Sequence, residues 1–438
     1  MRDIFITVVI LGFIPFILRK PRVGTYVWAW LAMMIPHRLT YGFAYDLQFS
    51  QWVALATLLG FLFSRERQSF PLSAVTGTYL LFLLWMTITS FFALDSDTGA
   101  IFDRWVFVLK MHLFLFLTLM LIRGRKQIEQ LLWVITLSIG FYGAKGGLFT
   151  LATGGSERVW GPPEGLIAGN NALGVALVML VPFMYYLFQT STRRYLRHGM
   201  VFLIAMTFLA ILGTQSRGAF LALAVMGLFV GLKGKRPLLT TSIIGVVLVA
   251  AIGFMPSTWT SRMNTIESYD EDSSAMSRVY TWKTLWALAL DRPLVGAGFN
   301  AAIPIVFATY APRDMGNFDF RNTVLVAHSI YFQALGEHGF PGLFLYLLIG
   351  FFAWRKASQV AAKARGDPEL AGWVPLLMRM SQASLAGFAV GGAFLSLVYF
   401  DLPYYIVAFV VLVDATINEQ RKPAGAREVS QAVVARSS

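Results

Sequence analysis

The side chains of this chain best suited to act on an anion are arginines set where apolar runs begin or end. Arg217 stands in Thr-Gln-Ser-Arg-Gly-Ala-Phe (214–220), where one apolar run gives way to the next with almost no loop. A guanidinium at a membrane boundary is costly unless it is paired or holds an anion. Arg278 lies in Ser-Arg-Val-Tyr-Thr-Trp (277–282), and Arg313 and Arg321 flank Met-Gly-Asn-Phe-Asp-Phe. Guanidinium is the group of choice for bidentate phosphate recognition. Arg217, Arg278 and Arg321 are therefore candidate ligands for a lipid-borne phosphate or pyrophosphate, and Arg313 reads as surface charge. Among the five histidines, His328 follows these arginines in Val-Leu-Val-Ala-His-Ser-Ile-Tyr-Phe and precedes an apolar run. An imidazole there can serve as a base near neutral pH. His112 falls inside an apolar run and His338 in the Gly-flanked turn Gly-Glu-His-Gly-Phe-Pro-Gly, so both read as structural. No HExxH string occurs, Asp95-Ser96-Asp97 offers one acidic pair, and 269–272 reads as a solvated acidic loop, so no metal site is expected. With no Cys, disulfides and thiolate chemistry are excluded.

Composition restricts the elements that must position these residues. The chain is 57% hydrophobic and 13% charged, with a mean hydropathy of +0.63. A soluble domain is about 45–50% apolar and about 25% charged. So little polar surface excludes a soluble enzyme, a disordered chain and a fibrous protein. The apolar runs extend for about 15–22 residues, whereas barrel strands alternate over about 10. The expected fold is an all-α polytopic membrane protein of about 12–13 transmembrane helices, with one large, partly helical periplasmic loop. The net charge of +13 is then first of all topological, because Lys and Arg are retained in the cytoplasm.

Apolar segments fall near 3–18, 24–36, 47–63, 73–94, 105–122, 129–152, 171–189, 199–213, 217–232, 238–255, 340–354, 380–400 and 403–416. Basic clusters in alternate gaps hold 22 of the 36 Lys and Arg residues, which predicts a cytoplasmic 355–372 linker and C-terminus. Thirteen spans place the N-terminus outside. Pro15, Pro21 and Pro36 break the first two, which as one irregular or re-entrant element give twelve. The start reads as a retained first span rather than a cleaved signal. The expected organisation is transmembrane helices over 1–256, a periplasmic loop carrying the reactive residues over 257–338, further spans over 339–418, and a disordered cytoplasmic tail over 419–438. A smaller outer loop spans 153–170. Within the large loop the spacing predicts a helix capped by Ser273 or Ser274, with Val279, Trp282, Leu285, Trp286 and Ala289 as its apolar stripe. A second helix is predicted over 323–337, with Pro341 in the first turn of the next span. Intramembrane charge is limited to Lys110, Lys145, Arg379 and Asp414, without the paired carboxylates of an ion-coupled transporter.

Four stretches together resemble the O-antigen ligase family of bacterial inner-membrane glycosyltransferases. They are Gly-Asn-Asn opening a span (169–183), Ser-Arg-Gly at a span start (214–223), Arg and Trp before Asp-Arg-Pro-Leu-Val-Gly-Ala-Gly (277–300), and the His before the next span (327–342). Order and spacing agree over 169–354, and hydropathy over the whole chain; the chain also looks like a subgroup of O-glycosylation ligases. The family usually has Asn after the His, where this chain has Ser329. The resemblance implies an O-antigen ligase: metal-independent, inverting transfer of O-antigen polysaccharide from undecaprenyl pyrophosphate to a sugar hydroxyl of lipid A–core. The reaction would take place at the periplasmic face of the bacterial inner membrane, in lipopolysaccharide biosynthesis. Carried over by motif, His328 would be the catalytic base, and Arg217 and Arg278 would bind the donor pyrophosphate, with Arg321 joining them as a further outer arginine. No cofactor and no nucleic acid are implied; the partners would be the lipid-linked donor, the lipid A–core acceptor and membrane lipids. An O-antigen polymerase or protein O-oligosaccharyltransferase would use the same donor. A transporter or flippase of lipid-linked glycans is the alternative from another class, and it would need a polar path across the membrane.

Overall fold

The computed structural model describes residues 1–234, 237–254, 273–315, 318–320 and 323–421. Ten helices precede the large loop: α1 (Arg2–Arg19), α2 (Pro21–Met34), α3 (Phe49–Phe63), α4 (Ala74–Ser90), α5 (Thr98–Leu121), α6 (Gly124–Ala152), α7 (Asn170–Thr190), α8 (Arg194–Gly213), α9 (Arg217–Leu232) and α10 (Pro237–Phe254). The loop carries α11 (Ser273–Asp291) and α12 (Pro304–Tyr310). There follow α13 (Ile330–Ala364), α14 (Pro368–Ala371), α15 (Val374–Gly391) and α16 (Asp401–Gln420). No strand occurs among the described residues. Each of the thirteen apolar segments overlaps a helix, but 380–400 stays α-helical only to Gly391, and 395–400 is irregular. Of the helices, α5, α6, α7, α8, α13 and α16 are long and apolar enough to cross a membrane by themselves, and α3, α4 and α9 are shorter apolar helices. The chain is a multi-pass helical membrane protein. In lipid only intra-segment hydrogen bonding satisfies the backbone, which is why these runs become helices.

Two helices form the central posts. The apolar windows of α7 and α16 are 78% and 89% buried inside the protein, against 39% for α8. Most of their side chains therefore meet protein rather than lipid. The helix ends sort into two sets. At one end, rich in Lys and Arg, Arg22 pairs with Glu66 at 3.4 Å, Arg123 with Glu419 at 3.2 Å and Lys356 with Asp414 at 3.1 Å. At the other, loop-bearing end, Tyr45 donates to Glu164 at 2.9 Å, the Val159 N–H to Gly213 at 2.9 Å and the Leu94 N–H to Ala297 at 2.8 Å. Asp3 accepts from the Gly42 and Ala44 N–H groups at 2.9 and 3.1 Å, so the first residues lie at the loop-bearing end. Helices α1 and α2 are thus two antiparallel helices joined at Lys20, not one irregular element.

Three local expectations are corrected. The buried face of α11 is Tyr280, Thr281, Thr284, Leu285, Leu288 and Ala289, while Trp286 is 47% exposed. The stripe is rotated because α11 packs on the first turns of α13 as well as on α12 and the residues beside it, which hydropathy along one helix does not specify. The helix predicted over 323–337 starts only at Ile330, capped by Ser329, whose side chain accepts from the Phe332 N–H. Ser is among the residues preferred at a helix N-cap. The predicted helix is also not separate: it runs on into α13 across a break at Gly339 (φ 67°, ψ −171°), and Pro341 follows that break. A break at this depth frees backbone groups that must find partners. The Phe340 N–H donates to the Pro293 carbonyl at 2.8 Å, Gly336 accepts from the Ala297 N–H at 2.8 Å, and His338 accepts from the Trp85 indole at 2.9 Å. A Cβ at Gly296, where φ is 59°, would collide with the Gly336 carbonyl. That contact is why a glycine is needed in the Pro-Leu-Val-Gly turn.

Candidate functional site

Three helix N-termini converge at the loop-bearing end. The first turns of α7 (Asn170, Asn171), α9 (Arg217, Gly218) and α11 (Ser274, Arg278) all line one cavity of about 300 Å³. Arg158, Gln215 and Ser216 complete its polar wall, and among the described residues no Asp or Glu lines it. The turns that carry these groups are tied together by backbone and amide hydrogen bonds. Asn170 donates to the Thr214 carbonyl at 2.8 Å, and Gln215 to the Gly155 and Ser156 carbonyls at 3.1 and 3.2 Å. Ser216 caps α9, accepting from the Ala219 N–H at 3.2 Å. Gln215 has φ 52°, the left-handed conformation that lets the chain reverse from α8 into α9 with almost no loop. Helix N-termini carry partial positive charge and unpaired N–H groups. An Arg in the first turn opposes that dipole, so Arg217 is not placed there to stabilise its helix. The arrangement suits an anion of more than one charge.

His328 is tied to this cavity through its neighbours and feels the charge of Arg278. It too is in the left-handed region, φ 44°, and its N–H donates to Ser396 Oγ at 2.8 Å. Leu395, the neighbour of Ser396, lines the arginine cavity. Trp282 of α11 holds the segment in place, donating to the Ala327 carbonyl at 2.8 Å and stacking on Phe332 at 5.2 Å. Burial and, after it, the charge of Arg278 hold the His328 imidazole below its ordinary pKa, so it is neutral at neutral pH. A neutral imidazole can accept a proton.

A second cavity, of about 350 Å³, is lined by Ala327 and Ser396, the chain neighbour and hydrogen-bond partner of His328, and by Arg104, Asn300, Gln333 and Glu337. Asn300 is held by Asp95 at 2.8 Å. Glu337 accepts a hydrogen bond from Tyr399, whose ring lies 5.0 Å from the Arg104 guanidinium carbon. Tyr399 also meets His338 Nε2 at 2.6 Å, and His338 Nδ1 meets Thr89 Oγ1 at 2.7 Å. His338 is fully buried and bonded at both nitrogens, and His112 is buried with Nδ1 on the Val108 carbonyl at 2.7 Å. Both are structural.

The structure thus brings Arg217, Arg278 and His328 together from three separate parts of the chain. Arg321 lies outside the described residues, and Arg313 is exposed. Arg158, Asn171, Arg104 and Glu337 were not singled out from sequence. Arg158 lies in the Gly- and Pro-rich 153–170 loop and could have been found by the same rule that found Arg217, as a cation on the side depleted of cations. Glu337 gave no such signal, because a lone carboxylate in Gly-Glu-His-Gly resembles any turn. Among the described residues no three His, Cys, Asp or Glu side chains come together as metal ligands.

Comparison with known proteins gives two family matches. The family model described as O-antigen ligase matches residues 200–347, which hold Arg217, Arg278 and His328. A model for a family of unknown function matches residues 1–192, which hold Arg158 and Asn170. No curated protein matches the chain.

Proposed function

We propose that this chain, whose residues 200–347 match the O-antigen ligase family model, transfers O-antigen polysaccharide from undecaprenyl pyrophosphate to a sugar hydroxyl of lipid A–core, at the periplasmic face of the bacterial inner membrane. The observation that carries this is the cavity onto which three helix N-termini and Arg158, Arg217 and Arg278 all open. The donor pyrophosphate occupies that cavity. As the bond from the anomeric carbon to the phosphate oxygen breaks, negative charge grows on the pyrophosphate, and the preorganised cations and N–H groups stabilise it there. The acceptor enters from the Arg104–Glu337 cavity, which the neighbours of His328 line. Its hydroxyl oxygen forms the new bond to the anomeric carbon on the face opposite the leaving group, which inverts the configuration. The hydroxyl proton passes to the His328 imidazole. A pyrophosphate leaving group needs charge stabilisation more than protonation, and arginines supply that without a metal ion.

The deciding experiment reconstitutes the purified full-length protein with lipid-linked glycan in excess EDTA and offers lipid A–core, a glycan chain end or a Ser/Thr-containing protein. Glycan on lipid A–core is expected. Product only on a growing glycan would make the protein a polymerase, and product only on protein an oligosaccharyltransferase. Donor moved between leaflets without any product would leave a flippase. Activity lost in EDTA and restored by magnesium would overturn the metal-free scheme.

A further inference from the structure

A cavity of about 870 Å³ shares Arg158 with the Arg217–Arg278 cavity, and the transfer chemistry does not use it. It sits at the loop-bearing end between α1, α2, α6 and the 153–170 loop, within the region whose matched family carries no function. Arg2, Arg38, Lys145 and Arg158 line it, and among the described residues no Asp or Glu does. Arg38 is engaged by Asp46 and Glu164 at 3.2 and 3.0 Å, and Arg2 lies 5.6 Å from the centre of the Tyr41 ring. Lys145 and Arg158 have no acidic partner among the described residues. Lys145 is on α6, inside a span, where an ammonium is costly unless it meets an anion.

Along α1, α2 and α6 the cavity continues into an apolar groove of about 490 Å³, walled by Val9, Phe13, Val27 and Leu137. Trp30 and Met34 line both spaces, so the groove opens into the cationic cavity. Arg158 lines both the cationic cavity and the Arg217–Arg278 cavity. Groove, cationic cavity and transfer site therefore adjoin in that order, with Trp30 and Met34 at the first boundary and Arg158 at the second. A soluble phosphate would leave the groove empty, and a neutral hydrocarbon would leave the cations unmet. An anionic head on one long chain satisfies both.

We propose that the α1–α2–α6 groove and the cationic cavity form the dock of a polyprenyl pyrophosphate, with its chain in the groove and its pyrophosphate on Lys145 and Arg158 on the way to and from Arg217 and Arg278. The choice of occupant rests on the transfer reaction proposed above and on continuity with its site. A single groove also takes one chain, whereas a phosphoglyceride brings two.

The test uses the full-length protein in phosphatidylcholine nanodiscs and geranylgeranyl pyrophosphate carrying a diazirine at its terminal isoprene. Photolysis is expected to label residues 2–34 or 124–152. Val9→Trp, which fills the groove, should reduce that labelling at least about fivefold. Loss of one charge-assisted contact is worth about 1.5–3 kcal/mol, so Lys145→Ala should weaken probe binding about 10- to 100-fold. Lys145→Gln repeats the measurement should the Ala variant fold poorly. Label only elsewhere, or label indifferent to Val9→Trp, overturns the dock even if glycan transfer proceeds. Label in the groove without transfer to any acceptor supports the dock and removes the ligase function instead. Phosphatidylglycerol displacing the probe as well as unlabelled geranylgeranyl pyrophosphate does would make this a general anionic-lipid site and overturn the assignment.

Discussion

At the residue scale, the His328 and Arg278 side chains are coupled, and the coupling has a measurable sign. His328→Ala removes the base and is expected to slow transfer by about 100- to 10,000-fold while the protein still folds and inserts. The base acts in its neutral form, so activity falls as pH drops through its pKa. Burial and Arg278 lower that pKa, so the acid limb of the rate profile should have its midpoint below about 6.5. Removing the nearby charge with Arg278→Gln should cut the rate and move the midpoint of the residual activity upward. An unmoved midpoint would mean that another group titrates.

The arginines make a second prediction. Arg217 and Arg278 line one cavity from α9 and α11, so both act on one charged group. Each Ala variant should be severely impaired, and each Lys variant less so, because charge is kept and the bidentate fork is lost. The double Ala variant should be less impaired than the product of the single effects. Strictly multiplicative losses in donor turnover would show that the two arginines serve different groups.

At the scale of elements, the site depends on a broken helix. Helix α13 is interrupted at Gly339, and the freed backbone groups are taken up by Pro293, Ala297 and Trp85. The side chains of the same turn continue the pattern from Thr89 through His338 and Tyr399 to Glu337. This chain of hydrogen bonds ties α4, α13 and the 395–400 segment together beneath the acceptor-side cavity. Tyr399→Phe keeps the ring and leaves His338 and Glu337 each short of a partner, a loss of about 1–3 kcal/mol. His338→Ala should cost at least as much, through the lost bonds and the cavity left behind. Thermal unfolding in detergent is expected to shift downward for both. A His338→Ala protein of unchanged stability that had nevertheless lost transfer would give His338 a chemical part.

At the scale of the whole molecule, the two sets of helix ends predict sidedness. The chain has no Cys, so single cysteines can report it without background. Glu157→Cys and Asp95→Cys, at the loop-bearing end, should react with a membrane-impermeant maleimide in spheroplasts. Thr192→Cys, between α7 and α8 at the basic end, should react only after the membrane is opened. The reverse pattern would put the transfer site on the cytoplasmic side and remove the proposed acceptor.

Sequence alone determined the class of fold, the position of each apolar helix and the division of the loops into a basic and a non-basic set. These are properties of short windows: hydropathy sums over about 20 residues and charge counts over single gaps, and lipid leaves a long apolar run no stable alternative to a helix. It also singled out Arg217, Arg278 and His328, since a charge at a membrane boundary is conspicuous wherever the chain goes afterwards. Tertiary structure decided what these residues share. That the first turns of α7, α9 and α11 face one cavity, that Arg158 bridges it to a second, and that Glu337 and Arg104 line a third all depend on packing between elements tens to hundreds of residues apart. The buried face of α11 was misread for the same reason: it is set by the partners it packs on, α13 and α12, and a single helix does not encode which neighbour it will meet.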